Sequence, residues 1–190
     1  SFEEIERLTR LFARIGVSKV RITGGEPLVR ANLPDLVSKL CVIDGIDDVA
    51  LTTNGYLLEN NAQELIHAGL NRLTISLDSI DPEVFKEMSG RPQGPANTLK
   101  GIKAATLLGF RQIKINVVVQ RGINEHTLVD TARYFKGTGA IVRFIEFMDV
   151  GTKNGWELSQ VFTSREVIEI IDAEFPLEPV EPNYNGEVAS

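Results

Sequence analysis

Cysteine is almost missing from this sequence: Cys41 is the only one in 190 residues. A single thiol gives no disulfide framework within the chain and no cysteine-based metal site of the chain's own. Its place at the end of an apolar helical stretch marks it as a packing residue, and a cytoplasmic setting is expected. Basic charge is also scarce. Twenty Lys and Arg stand against 26 Asp and Glu, a formal net charge of −6, which argues against a nucleic-acid partner held through a broad basic face. No run of about 18 apolar residues occurs, nor a charged, apolar, small-residue leader, so no membrane partner and no secretory signal are expected. His67 and His126 stand isolated, without metal-ligand spacing. What remains, 43% apolar and 24% charged residues, suffices for one sizeable core, and a single domain over residues 1–190 is expected.

Three segments end alike. At Ile15-Gly16-Val17, Ala68-Gly69-Leu70 and Leu108-Gly109-Phe110 an apolar helical stretch runs into a glycine and then another apolar residue, the pattern of a left-handed helix exit whose next side chain packs back on the last turn. Gly139-Ala140-Ile141 is a looser copy. Each exit leads into a β-branched run, which predicts strands over 19–23, 72–77, 113–119 and 141–147, with a fifth over 49–53. Helical patterns lie between them, over 2–15, 33–40, 61–68, 82–88, 98–108, 126–135 and 164–175. Asp81-Pro82 reads as N-cap and first turn, and Thr163 with Glu166 as a capping box.

Alternating helices and strands, with apolar runs too continuous for a half-exposed sheet, imply an α/β fold of parallel strands covered by helices. A (β/α) barrel and a doubly wound open sheet are the candidates. Ser1 and Glu4 would cap a helix that starts at once, with no strand ahead of it to pair beside residues 19–23. An incomplete TIM-like barrel, lacking its first strand and its C-terminal part, would read this way. Pro176, Pro179 and Pro182 break the pattern at the other end, where residues 176–190 are expected to begin a C-terminal extension.

Residues two apart share one face of a strand. Lys19, Arg21 and Thr23 therefore lie together, as do Thr52 and Asn54, Thr74, Ser76 and Asp78, and Lys114 and Asn116; Arg143 lies inside the fifth strand. One face of nearly every strand is polar although helices should hide the other, and a polar lumen explains both. Burying a lone cation costs several kcal/mol. Lys19, Arg21, Lys114 and Arg143 therefore need acidic partners, either Asp78 and Glu146 from within the chain or an anionic ligand such as phosphate. Ligands in parallel α/β folds gather at the carboxyl ends of strands. There Thr23-Gly24-Gly25-Glu26-Pro27 offers a close backbone approach and an acceptor, and Thr53-Asn54-Gly55 follows the second strand. Trp156 sits on a loop beyond the fifth strand, as loop packing or as a cover.

Gly24-Gly25-Glu26-Pro27 after a short strand is similar to the motif with which radical S-adenosylmethionine enzymes bind the amino group of their cofactor's methionine moiety. Five ordered strings narrow this to the GTP 3′,8-cyclase family: residues 19–28, Leu51-Thr52-Thr53-Asn54-Gly55, Ser76-Leu77-Asp78-Ser79, Lys114-Ile115-Asn116-Val117-Val118, and residues 143–151. The resemblance implies S-adenosylmethionine at Gly25, Glu26, Ser76 and Met148. It also implies GTP at Arg21, Thr52 and Lys114, with Lys19 and Arg143 sharing the triphosphate's charge. It assigns no certain catalytic residue and no metal ligand to this chain.

In that family of lyases, which serves molybdenum cofactor biosynthesis, a 4Fe-4S cluster on an amino-terminal C-x3-C-x2-C motif reduces the cofactor. The resulting radical abstracts hydrogen from C3′ of GTP, and the carbon radical closes onto C8. A second 4Fe-4S cluster contacts the guanine. Neither cysteine set is present here, so the resemblance implies a core without its clusters, inactive alone, whose parent is a possible homodimer. Two other readings stay open: a radical S-adenosylmethionine enzyme with another small-molecule or peptide substrate, and a noncatalytic binding module.

Overall fold

Three helices close through one geometry. Val17 donates to Phe12 O and Gly16 to Ala13 O; Leu70 to Leu65 O and Gly69 to Ile66 O; Phe110 to Ala105 O and Gly109 to Thr106 O. Each pair satisfies two of the last helical carbonyls, and the central glycine takes the left-handed conformation this requires. The Gly139 segment differs: Thr138 N–H returns to Phe135 O, and both Gly137 and Gly139 have positive φ.

The computed structural model describes residues 1–151 and 155–180. Seven helices, α1 (Phe2–Arg14), α2 (Leu33–Cys41), α3 (Leu58–His67), α4 (Pro82–Ser89), α5 (Ala96–Leu107), α6 (Leu128–Phe135) and α7 (Ser164–Glu174), accompany five strands. These are β1 (Lys19–Ile22), β2 (Asp48–Thr53), β3 (Arg72–Ser76), β4 (Gln112–Val119) and β5 (Ile141–Glu146). Ser1 and Glu4 form a capping box on α1, Asp81 caps α4, and Thr163 with Glu166 boxes α7. The start of the sixth helical stretch is a short 3-10 turn, Glu125–Thr127, rather than α-helix. Residues 181–190, most of the segment expected to begin an extension, lie outside the described residues.

The five strands pair in parallel in the order β1-β2-β3-β4-β5. Order that never reverses excludes a doubly wound sheet, which needs a switch point. Crossovers of one hand then place every connecting helix on the same side, and the packing agrees: α1 lies on α2, α2 on α3, α3 on α5, and α6 on α7. The result is an arc of a (β/α) barrel. Its core fills the space between sheet and helices. Leu51, Leu73, Ile75, Ile115 and Val117 from the strands, with Leu77 just beyond β3, meet Val37, Leu40, Leu58, Leu65, Ala105 and Leu128 from the helices, all essentially inaccessible. Fully burying one such leucine or isoleucine contributes about 1.5–3 kcal/mol. The thiol of Cys41 packs at the edge of this core, and burial pushes its pKa up. Among the described residues no helix is long and apolar enough to cross a membrane.

Candidate active site

Paired residues of a parallel sheet point to the same side, so the register shows what shares the uncovered face. One row runs Arg21, Ala50, Arg72, Gln112; the next Thr52, Thr74, Lys114, Ile141; the third Ser76, Asn116, Arg143. Lys19 lies beside Asp48, one step toward the amino end. The four cations singled out by strand alternation are therefore on one face, together with Thr52 and Ser76. A fifth, Arg72, belongs with them. Its alternation with Thr74 and Ser76 already signalled this, although its position at the first residue of β3 hid it.

Charge concentrates toward the amino ends of the strands. Lys19, Arg21, Arg72, Arg111 and Lys114, with Asp47 and Asp48, line a cavity of about 610 Å³. Arg72 is paired with Asp48. Neither acid proposed as an internal partner takes up such a position. Glu146 differs in parity from Arg143, so it faces the helices, where it accepts from the N–H and hydroxyl of Ser164 at the start of α7. Both bonds hold its carboxyl below the ordinary value. Asp78 is turned to the end of β4 and accepts from Val118 N–H at 2.9 Å. Burial nevertheless raises its pKa, against that hydrogen bond.

Among the described residues, three buried polar atoms on this face have no hydrogen-bond partner: Thr52 Oγ1, Asn116 Oδ1 and Arg72 Nε. Buried polar groups of native proteins are almost always satisfied. Three orphans on adjoining strands of one face thus mark where a polar ligand would find partners.

The carboxyl ends carry a different chemistry. Gly24, at φ +144°, and Gly25 form an open turn after β1, where a Cβ at either position would meet nothing within 4 Å. Glu26 follows, and its side chain reaches across to β2. Oε1 accepts from Leu28 N–H at 3.0 Å and from the Thr53 hydroxyl at 2.5 Å; Oε2 accepts from Asn54 N–H at 2.7 Å. The Thr53 hydroxyl in turn accepts from Gly55 N–H at 3.0 Å, and Asn54 O accepts from the Thr98 hydroxyl of α5. No sequence signal beyond the adjacency of two loops pointed to Thr53, because the contact joins residues 27 positions apart.

At the far side of the sheet Asp78, Glu87, Met88, Val118, Gln120, Ile123 and Phe147 line a second cavity of about 400 Å³. Met148 is next in the chain and 54% exposed. The Trp156 indole N–H donates to Phe147 O, so this side chain packs the loop onto the end of β5. Thr152, Lys153 and Asn154 of the same loop lie outside the described residues. Gly25 and Glu26 thus stand at one edge of the sheet, Ser76 in its middle and Met148 at the other edge. The basic face lies below them along the strands. Among the described residues no group of three or more His, Cys, Asp or Glu side chains is arranged to hold a metal ion.

The chain is 51% identical over 189 residues to a protein named GTP 3′,8-cyclase from Xanthomonas axonopodis pv. citri (strain 306), across 100% of this chain and 57% of that one. A Staphylococcus haemolyticus (strain JCSC1435) protein of the same name is 48% identical, across 100% and 55%. The chain therefore spans little more than half the length of the curated relatives it matches. Two solved structures share the fold at 14% identity and a TM-score of 0.64. They are a radical SAM methyltransferase from Sphaerobacter thermophilus, covering 92% of this chain and 54% of that one, and coproporphyrinogen III oxidase (HemN) from Escherichia coli, covering 91% and 44%. The model of the radical SAM superfamily matches residues 1–135, and with that match the chain belongs to the radical SAM superfamily.

Proposed function

We propose that this chain is the ligand-holding core of a GTP 3′,8-cyclase, with S-adenosylmethionine at the carboxyl ends of the strands and GTP along the basic face beneath it. The observation that carries the reading is the gathering of Lys19, Arg21, Arg72, Lys114 and Arg143 on one face of four parallel strands. A polyanion is the ligand chemistry that such a face favours, since guanidinium and ammonium groups match phosphate oxygens. Identity near one half to curated cyclases over the whole chain supports GTP as that polyanion.

The residues present fit the cofactor. The open Gly24-Gly25 turn leaves room for backbone approach to its methionine end. Glu26 has committed three of about four carboxylate lone pairs and keeps one, on Oε2, for an ammonium group. Ser76 and Met148 border the remaining path along the strand ends. When bound, S-adenosylmethionine supplies the one-electron, hydrogen-abstracting chemistry; the chain binds, orients and excludes water. A 4Fe-4S cluster does not fit these residues, because Cys41 is the only cysteine and one thiol cannot hold a cluster that is bound through several cysteine thiolates. In the proposed enzyme the ligands of both clusters come from outside these 190 residues.

In this role Arg21, Lys114, Lys19 and Arg143 neutralise the triphosphate, Thr52 donates or accepts at its orphaned hydroxyl, and the sheet fixes their spacing. Equilibrium binding of GTP and guanosine to the intact protein that contains this chain tests the reading. GTP should bind tightly and lose affinity as salt is raised, with guanosine much weaker. Equal affinity for the two would overturn it.

A further inference from the structure

We propose that Thr53 is a positioning residue for the methionine end of the cofactor, acting through Glu26. The proposal rests on the reading that S-adenosylmethionine binds at the Gly24-Gly25-Glu26 turn.

A carboxylate beside a substrate ammonium is useful only if its free lone pair points at the ligand. Glu26 can rotate about three bonds, yet it is held from two sides. On its own loop, Leu28 N–H fixes Oε1. On β2, the Thr53 hydroxyl donates to the same oxygen and Asn54 N–H takes Oε2. Thr53 is 2% exposed, and its hydroxyl has one proton to give. Gly55 N–H donates into that hydroxyl oxygen, which turns the O–H bond toward Glu26 and leaves it no competing direction. The chain Gly55 N–H to Thr53 O–H to Glu26 therefore has one sense, and it ends by saturating Oε1.

The turn beyond is itself braced by further contacts. Asn54 O takes the Thr98 hydroxyl, Asn54 Oδ1 takes Tyr56 N–H, and Gly55 lies against Ile75 and Thr98. Rigid packing of β2 and α5 is thereby transmitted to the β1 loop. The one acceptor site left on Glu26, on Oε2, is aimed by groups that never touch the ligand.

Replacing the hydroxyl by a methyl group of the same shape removes the donor while keeping the packing. In the intact protein, Thr53→Val should raise the dissociation constant for S-adenosylmethionine about tenfold, the scale of one hydrogen bond to a charged group. The dissociation constant for GTP should stay within twofold. Thr53→Ser restores the hydroxyl and should restore cofactor affinity, and Thr53→Ala provides the same comparison should the valine variant fail to fold. Calorimetric titration of each ligand separately reads both constants without turnover.

Unchanged cofactor affinity in the hydroxyl-less variants overturns the proposal and leaves the functional reading intact. Equal weakening of both ligands, or a serine variant no better than valine, assigns Thr53 to the fold alone and also overturns it. Absence of S-adenosylmethionine binding by the folded parent protein overturns the functional reading, and the proposal with it.

Discussion

Gly101, in the middle of α5, sets two expectations of opposite sign. Alanine is favoured over glycine in a helix interior by about 1 kcal/mol, so on propensity alone Gly101→Ala stabilises the protein. Space says otherwise. A Cβ at this position would stand 2.8 Å from Gly55 O, 2.8 Å from Leu58 Cβ and 3.3 Å from Glu59 N. Two of these three atoms are backbone, and the third is the first side-chain atom of a fully buried leucine at the start of α3. None can swing aside as a surface side chain would, so α3 and α5 must separate. Overpacking of this kind typically costs about 1–3 kcal/mol, which outweighs the propensity gain.

The net expectation is a loss of up to about 2 kcal/mol, read as a lower urea midpoint with an unchanged slope. Gly55 belongs to the turn tied to Glu26, so the same substitution should also weaken S-adenosylmethionine binding. A variant more stable than the parent by the full propensity gain of about 1 kcal/mol would refute the close approach of α3 and α5 and, with it, the rigidity ascribed to that turn.

Two further outcomes follow from the titratable groups. Asp78→Asn keeps an acceptor for Val118 N–H and removes a charge that burial disfavours, so stability at pH 7 should hold or rise. Asp78→Ala leaves that N–H without its partner and should cost about 1–3 kcal/mol; equal loss in both variants by urea titration would contradict this. Glu166 is held down to about 2 by the Arg121 guanidinium and then by the N–H and hydroxyl of Thr163. A depressed carboxyl contributes stability that is present above its unfolded pKa and disappears as pH falls through the folded one. Hydrogen-exchange protection of α7 should therefore decline between about pH 4.5 and about pH 2, and Arg121→Ala should move the decline to higher pH. Protection independent of pH across that interval would count against the Arg121 contact.

Much of the arc was legible in local chemistry. The Gly16, Gly69 and Gly109 exits and the three N-caps are short-range hydrogen-bond devices, and each appears where its residues predict it. Strand alternation placed Lys19, Arg21, Thr52, Ser76, Lys114 and Arg143 on one face, because the period of two is imposed by the backbone. Contacts between distant segments were not legible. Arg72 with Asp48, Glu26 with Thr53, and Gly101 against Gly55 each depend on strand register and helix approach, which no local pattern encodes. Glu146 shows the cost of ignoring parity: three residues beyond Arg143, it belongs to the helix side, where α7 uses it. The depth of the charge was also hidden. Alternation gives the face of a strand and not the level along it, so the basic cavity lies at the amino ends while the Gly-Gly-Glu-Pro turn stands at the carboxyl ends.

Affinity for GTP in Arg21→Ala and Lys114→Ala forms of the intact protein, titrated at low and high salt, bears most directly on the basic face. Each substitution should weaken binding about tenfold or more at low salt, as loss of a hydrogen bond between charged groups does, and should flatten the salt dependence. Affinities matching the parent at both salt concentrations would show that these side chains do not meet the nucleotide.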